Sequence, residues 1–392
     1  MTAHALEGMR VVDLTQVMAG PFATMLLADL GADVVKVEPP GGGDQTRHSW
    51  GRSGAGDDGP AFFALNRNKR SVVLDLRSPE GRADLLRMVA EADVLVENFR
   101  PGVMGRLGLD YDTLREVNPG LIYASISGFG HTGPYAERPG YDLIAQGMAG
   151  ILELTGHPDG PPAKAGVPVA DLGSGLFCVY GILAAYVHKL RTGEGQRLET
   201  SLYEAAVALT VWEATEYWSS GNVPARTGSS HRMSAPYQAF RTADGWMTIG
   251  ANNQRLWGFL CTALGRPELA DDERFATNPD RMRNKAELAA VIEEVLAEHG
   301  TDHWVERLLA GGVPAGPIRT YDQVLADEHT RARGMVQTIP HPVEGEVATL
   351  GFPVKLEGTP ATARRHPPLL GEHQEEVLGP RAGAPEAGRA RP

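Results

Sequence analysis

Short β-branched runs alternate with helix-like segments through the first 130 residues, and this alternation restricts the fold more than any other feature. Residues 10–14 (RVVDL), 32–37 (ADVVKV), 71–76 (SVVLDL), 93–99 (DVLVENF) and 121–130 (LIYASISGFG) read as strands. Between the first two, AGPFATMLLADLGA sets Pro21 near the first helical turn and Gly31 at the stop, as the Pro-in, Gly-out asymmetry of helices dictates. Ser78 and Pro79 open a further helix, SPEGRADLLRMVAEA. Strands and helices alternating at this spacing form βαβ units, so the expected class is α/β with a mostly parallel sheet. Residues 41–59, rich in Gly, Asp and Ser, read as a mobile surface loop.

The pattern changes after about Gly221. PYQAFRTADGWMTIGA carries two alternating runs around Asp244-Gly245, which signals a hairpin. Helical patterns follow near residues 255–264, 285–298 and 303–309, giving a smaller α+β domain over 225–324. Residues 201–224 read as a linker helix. Residues 379–392 (GPRAGAPEAGRARP) have the composition of a disordered tail.

At 392 residues the chain has room for two domains and a sizeable core. Its formal charge of −12 argues against nucleic acid or an anionic membrane as partner. Cys178 and Cys261 stand in separate apolar contexts and read as free thiols of a reducing compartment. The N-terminus lacks the apolar core of a signal peptide. The longest apolar run, residues 172–187, is shorter than the ~20 residues a membrane span needs. These readings place the protein in the cytoplasm.

Familiar cofactor signatures are missing. There is no GxGxxG or GxxxxGK[ST] at a strand-to-helix turn, no HExxH, CxxC or clustered histidines, and no GxSxG elbow. Neither a metal nor a permanently bound cofactor is expected. Cations instead gather near strand ends. Asn66-Arg67-Asn68-Lys69-Arg70 precedes one strand, and Asn98-Phe99-Arg100, with Arg106 beyond, follows another. In an open parallel sheet, ligands collect outside the carboxyl ends of the strands. Phe99 can stack on a planar ring, and Arg100 or Arg106 can meet phosphate. A solvated charged turn accounts for NRNKR equally well.

Asp171 sits between an extended Pro-containing segment and a Gly-Ser-Gly turn that opens an almost uncharged helix, ADLGSGLFCVYGILAAYVHKL. A carboxylate there can cap the helix. It can also act as a nucleophile, with the amides around Gly173 and Gly175 stabilising the oxyanion that develops. The residues alone leave both roles open.

Several long motifs agree in order and spacing with one family. TQVMAGPFATMLLADLGADVVKVEPP, ALNRNKRSVVLDL, ADVLVENFRPGVMGRLGL, YASISGFGHTGPYAERPGYDLIAQGMAG and ADLGSGLFCVYGILAAYVHKLRTGEGQ resemble the class III CoA-transferases over residues 7–378. The resemblance implies an interlocked homodimer of ring-like chains, with a Rossmann-like large domain over 1–200 completed by 325–378. It implies a nucleophilic Asp171 and CoA contacts at Val17, Leu65, Arg67, Lys69, Asn98, Phe99 and Arg106. The substrates are then acyl-CoA thioesters and small organic acids, joined through an aspartyl-CoA thioester. Similarity in the second half favours succinyl-CoA as donor and a dicarboxylate as acceptor, with Arg47 and Arg232 as candidates for the remote carboxylate. Pro39 and Met18 replace an arginine and a glutamine of formyl-CoA transferase, and no glycine-rich loop lies between Ser229 and Tyr237. Those departures weigh against formyl-CoA and oxalate. Within the same family, alpha-methylacyl-CoA racemases use a His-Asp pair where this chain has Tyr141-Asp142. A tyrosine with pKa about 10 is a poor base, which favours transfer over proton exchange. A non-catalytic acyl-CoA-binding member is the remaining alternative.

Overall fold

The computed structural model describes residues 4–51, 54 and 56–379. The expected tail therefore lies, apart from Gly379, outside the described residues. The chain divides into two compact units, the first comprising Met1–Ile151, Ala165–Ala214 and Glu328 onward, the second Leu152–Lys164 and Thr215–Asp327.

The first unit runs β1 (Arg10–Asp13), α1 (Ala19–Asp29), β2 (Asp33–Glu38), α2 (Pro60–Leu65), β3 (Lys69–Val73), α3 (Pro79–Ala90), β4 (Val94–Glu97), α4 (Val103–Arg106), α5 (Tyr111–Val117), β5 (Ile122–Ser127) and α6 (Asp142–Met148), whereas α7 (Ile151–Leu154) falls mostly in the second. The first unit continues with α8 (Val169–Thr192), β6 (Arg197–Ser201) and α9 (Leu202–Leu209). The six strands form one sheet in the order β3-β2-β1-β4-β5-β6, and every pairing is parallel. The class expected from the alternation, α/β around a parallel sheet, is what forms. Successive residues face opposite layers: Val11, Val94 and Val96 pack toward α1 and α8, whereas Val12 and Leu95 pack with Leu85 and Val89 of α3. Both faces are covered, which is why these strands read as continuous apolar runs. Strand order reverses between β1 and β4, opening a crevice at their carboxyl ends.

The second unit includes most of α10 (Val211–Ser220), then β7 (Tyr237–Arg241), β8 (Trp246–Gly250), α11 (Gln254–Ala263), α12 (Asn278–Arg283), α13 (Lys285–Leu296), α14 (Thr301–Ala310), β9 (Ala315–Pro317) and α15 (Tyr321–Ala326). The hairpin expected at Asp244-Gly245 joins antiparallel β7 and β8. Phe240, Met247 and Ile249 pack with Trp257, Leu260, Ile292, Trp304 and Leu308 to make its core. The chain then returns to the first unit through α16 (Glu328–Ala332), the hairpin of β10 (Val336–His341) and β11 (Gly345–Leu350), and α17 (Gln374–Leu378).

Two local readings change. Within residues 41–59, Asp44, Thr46 and Arg47 are buried rather than displayed on a surface loop, because each finds polar partners inside. Residues 197–201 form the edge strand β6, which the alternation of exposed Arg197 and Glu199 with half-buried neighbours concealed.

The glycines of the central helix are spacing residues. A Cβ on Gly175 would stand 2.8 Å from Ala19 O and 2.9 Å from Phe22 Cδ1, both on α1. One on Gly173 would come closest to the flexible end of Leu209, at 3.2 Å, and would otherwise make ordinary contact with Ala205 at 3.7 Å. Gly175→Ala should therefore destabilise the protein by about 1–3 kcal/mol, through overpacking against a backbone that cannot yield. Gly173→Ala should cost less than about 1 kcal/mol, and urea unfolding of the two variants measures the difference.

Candidate active site

Helix α8 begins at Val169 after Pro168, which supplies no side-chain cap. Its first amides are satisfied from elsewhere. Asp142 Oδ1 accepts from Ala170 N–H at 2.9 Å and from Asp171 N–H at 3.4 Å, while Gln146 Nε2 steadies Asp142 Oδ2 at 2.6 Å. Asp142 is thus the cap, and the Asp171 carboxyl is left for other work. Sequence reading missed this role because the two aspartates are 29 positions apart. An uncapped helix start after a proline was the available signal, since some acceptor had to serve it.

Asp171 opens onto a cavity of about 290 Å³ at the carboxyl ends of β1, β4 and β5. Val17, Asn98, Phe99 and Tyr141, all singled out in the sequence, line the same cavity. Asn98 clamps the turn after β1, donating to Gln16 O at 2.7 Å and accepting from Gln16 N–H at 2.9 Å. Phe99 is held by its own amide, which donates to Glu97 Oε2 at 2.9 Å. Tyr141 is 69% exposed and stands at the rim.

The amides facing this cavity differ from those expected. Leu172 N–H already bonds to Pro168 O at 3.0 Å, so Gly173 and Gly175 lie within the helical ladder, where N–H groups are consumed. The free helix start belongs to α1. Its N-cap, Met18, makes no side-chain capping bond, and its ladder begins only with Phe22 N–H to Met18 O at 2.8 Å. Met18 and Ala19 line the cavity. The positive end of α1 therefore meets the cavity beside Asp171.

Several expected ligand contacts lie elsewhere. Arg47 is buried with Nε and Nη2 on Glu38, each at 2.7 Å, and Nη1 on Asp58 at 2.8 Å, leaving its charge committed inside the fold. Arg67 pairs with Asp29 at 2.6 Å. Lys69 is fully buried against Asp13 at 3.0 Å, and Leu65 is buried at the end of α2. Arg106 is exposed on α4 and outside the cavity lining. Arg232 belongs to the second unit and faces Glu216 at 4.0 Å. The cations that do line the cavity are Arg100 and Arg138, both exposed, the latter stacked on Tyr135 at 3.9 Å.

The profile of the family described as CoA-transferase family III matches residues 6–374. The chain belongs to CoA-transferase family III. Succinate–glutarate CoA-transferase of Agrobacterium fabrum is 42% identical over 95% of this chain and 94% of its own length. Acetyl-CoA:oxalate CoA-transferase of Acetobacter aceti is also 42% identical, over 97% and 96%. A relative named for oxalate is therefore as similar as one named for glutarate, and overall identity does not choose between acceptors. A CAIB/BAIF family protein of Brucella suis, known from its crystal structure, superposes with a TM-score of 0.85 at 44% identity, covering 95% of this chain and 99% of that one.

This family III CoA-transferase holds Asp171 in an unusual electrostatic setting. Burial raises its pKa to about 7, and the neighbouring Asp142 charge adds to the rise. The carboxyl is thus poised between protonation states at neutral pH. A folded-state pKa raised above the unfolded value gives stability that is complete below pH 3.8 and lost as pH rises through about 7. Asp171→Asn removes that loss. It should match the parent near pH 4 and exceed it at pH 8 by roughly 1–3 kcal/mol, less than the full 1.36 kcal/mol per unit because solvent screens part of the effect. Urea unfolding at the two pH values checks both the sign and the window.

Proposed function

We propose that the enzyme moves CoA from an acyl-CoA donor to a carboxylate acceptor through a thioester on Asp171. The observation that supports this most is the meeting of the Asp171 carboxyl and the uncapped start of α1 on one cavity. Asp171 Oδ attacks the donor thioester carbon, the C–S bond breaks, and a mixed anhydride and CoA thiolate result. The thiolate then attacks Asp171 Cγ, the anhydride C–O bond breaks, and the donor leaves as its carboxylate. The acceptor carboxylate attacks the aspartyl-CoA thioester and displaces the thiolate, which finally attacks the acceptor carbonyl and regenerates Asp171. No net proton or electron is exchanged. The α1 amides serve the oxyanion in each addition, where one donor typically contributes about 10²–10³ in rate. Phe99, Asn98 and Val17 border the path of the CoA arm, and Arg100 and Arg138 are placed for anionic groups of the substrates.

For the substrate pair we propose succinyl-CoA and a dicarboxylate. The acceptors in both relatives' names, glutarate and oxalate, are dicarboxylates. A homodimer belongs to the same proposal. Helix α8 is long and apolar enough to cross a membrane by composition, yet Cys178, Ile182 and Ala185 pack it into the core. Its outer face leaves Leu176, Tyr180, Val187 and Leu190 between 46% and 69% exposed, an apolar stripe suited to a second copy. The buried, unpaired Cys178 and Cys261 suit the cytoplasm.

One observation favours a second reading. A carboxyl with pKa about 7 is matched to proton exchange beside a thioester carbonyl. Incubating the enzyme with a 2-methylacyl-CoA in D₂O separates the two chemistries: α-deuteration without an acceptor acid belongs to exchange alone.

A matrix of acyl-CoA donors against organic acids, read by mass spectrometry, tests the transferase reading. Succinyl-CoA with a dicarboxylate should give product, hydroxylamine should trap a modified Asp171, and Asp171→Ala should lose at least about 10³-fold in rate. Its acylation rate should rise with pH through about 7, as the carboxyl ionises. Equal activity in Asp171→Ala defeats the assignment. Light scattering should also give a species of twice the chain mass, and Tyr180→Glu should shift it toward the monomer.

A further inference from the structure

Val17 adopts φ 71°, in the left-handed region that a β-branched residue enters only under constraint. It lies on the wall of the cavity, immediately before the N-cap of α1. The constraint comes from beneath the turn. Asp13, Lys36, Asp44 and Lys69 are all fully buried there.

Lys36 Nζ pairs with Asp44 Oδ2 at 2.9 Å and donates to Thr15 O at 2.7 Å. Asp44 Oδ1 accepts from Val17 N–H at 3.3 Å. Asp13 Oδ1 accepts from the Thr15 amide at 2.9 Å, and Lys69 Nζ joins Asp13 Oδ2 to Pro21 O, each at 3.0 Å. The chain is thereby gripped at Thr15, Val17 and Pro21, on both sides of the amides that face the cavity. Glu38 extends the frame, accepting from Asp44 N–H at 3.0 Å, and Arg47 in turn binds Glu38. The partners outweigh burial here: Asp44 is held below the usual carboxylate range and Lys36 above the usual lysine range, so both stay charged. Well-packed apolar residues would stabilise such a core as well or better. The charges are therefore explained by the geometry they impose on the turn above them.

We propose that Lys36 and Asp44 are positioning residues, whose buried ion pair fixes Val17 in its left-handed conformation and so aims the first amides of α1 at the reacting thioester. Neither residue lines the cavity; both act through the turn. The proposal rests on the CoA-transfer chemistry above.

Asp44→Asn keeps the side chain's shape and removes the charge facing Lys36. The test compares Asp44→Asn, Val17→Gly and the double variant in kcat, in KM for the CoA thioester and in Tm. Asp44→Asn should lower kcat about 10–100-fold with KM within about threefold, the signature of misplaced catalytic groups. With glycine at position 17 the left-handed conformation is freely accessible, and there the same Asp44→Asn step should cost about threefold or less. Val17→Gly alone should raise Tm by releasing strain. Lys36→Met should match Asp44→Asn. Equal losses from Asp44→Asn in both backgrounds, or a loss carried wholly by KM, overturn the proposal. Should Asp44→Asn fail to fold, Val17→Gly decides: a higher Tm supports the strain, and an unchanged or lower one refutes it. A parent enzyme that transfers CoA between no tested pair would defeat the chemistry instead. Positioning is then judged from crystals of Asp44→Asn, in which departure of Val17 from the left-handed region supports it and retention overturns it.

Discussion

The close crossing of α1 and α8 is the contact on which the site depends. At Gly175 the central helix approaches Ala19 O nearer than any side chain would allow. Asp171 is one turn earlier, and residues four apart share a helix face. The face that touches α1 therefore carries Asp171 as well, and Asp171 lines one cavity with Met18 and Ala19. A Cβ at position 175 would push the helices apart, and Asp171 and the start of α1 would lose their common cavity. Asp142 completes the arrangement by taking over the capping duty that Asp171 would otherwise perform.

The first unit buries several charges. Asp29 with Arg67, Glu38 with Arg47, Asp13 with Lys69 and Asp44 with Lys36 are all paired inside the fold. Breaking such a pair from one side leaves an uncompensated charge and typically costs 3–5 kcal/mol. The cations that line the cavity are the exposed Arg100 and Arg138.

The parallel sheet was legible because both faces of its inner strands are covered, so Val11-Val12 and Val94-Leu95-Val96 appear as unbroken apolar runs. The edge strand β6 was not, since its charged residues alternate along an open side. Asp171, Val17, Asn98, Phe99 and Tyr141, singled out in the sequence, line one cavity. Arg67 and Lys69 were expected as CoA contacts from the family resemblance, and Arg47 as a candidate for the remote carboxylate. Only the partners Glu38, Asp29 and Asp13, distant in sequence or on other strands, reveal that their charges are internal. The oxyanion donors were sought in the nearest glycine turn. Tertiary packing instead brings to the cavity the uncapped start of a helix about 150 positions earlier, a relation no local pattern encodes.

Isotope transfer into the carboxyl tests the central claim most directly. When an acceptor acid with both carboxylates labelled by ¹⁸O turns over with succinyl-CoA, one acceptor oxygen must remain on Asp171 as the anhydride collapses. Digestion after a single turnover should show the peptide bearing Asp171 heavier by about 2 Da, with every other peptide unchanged. Full conversion of the acceptor to its CoA ester with no label on that peptide would contradict the account.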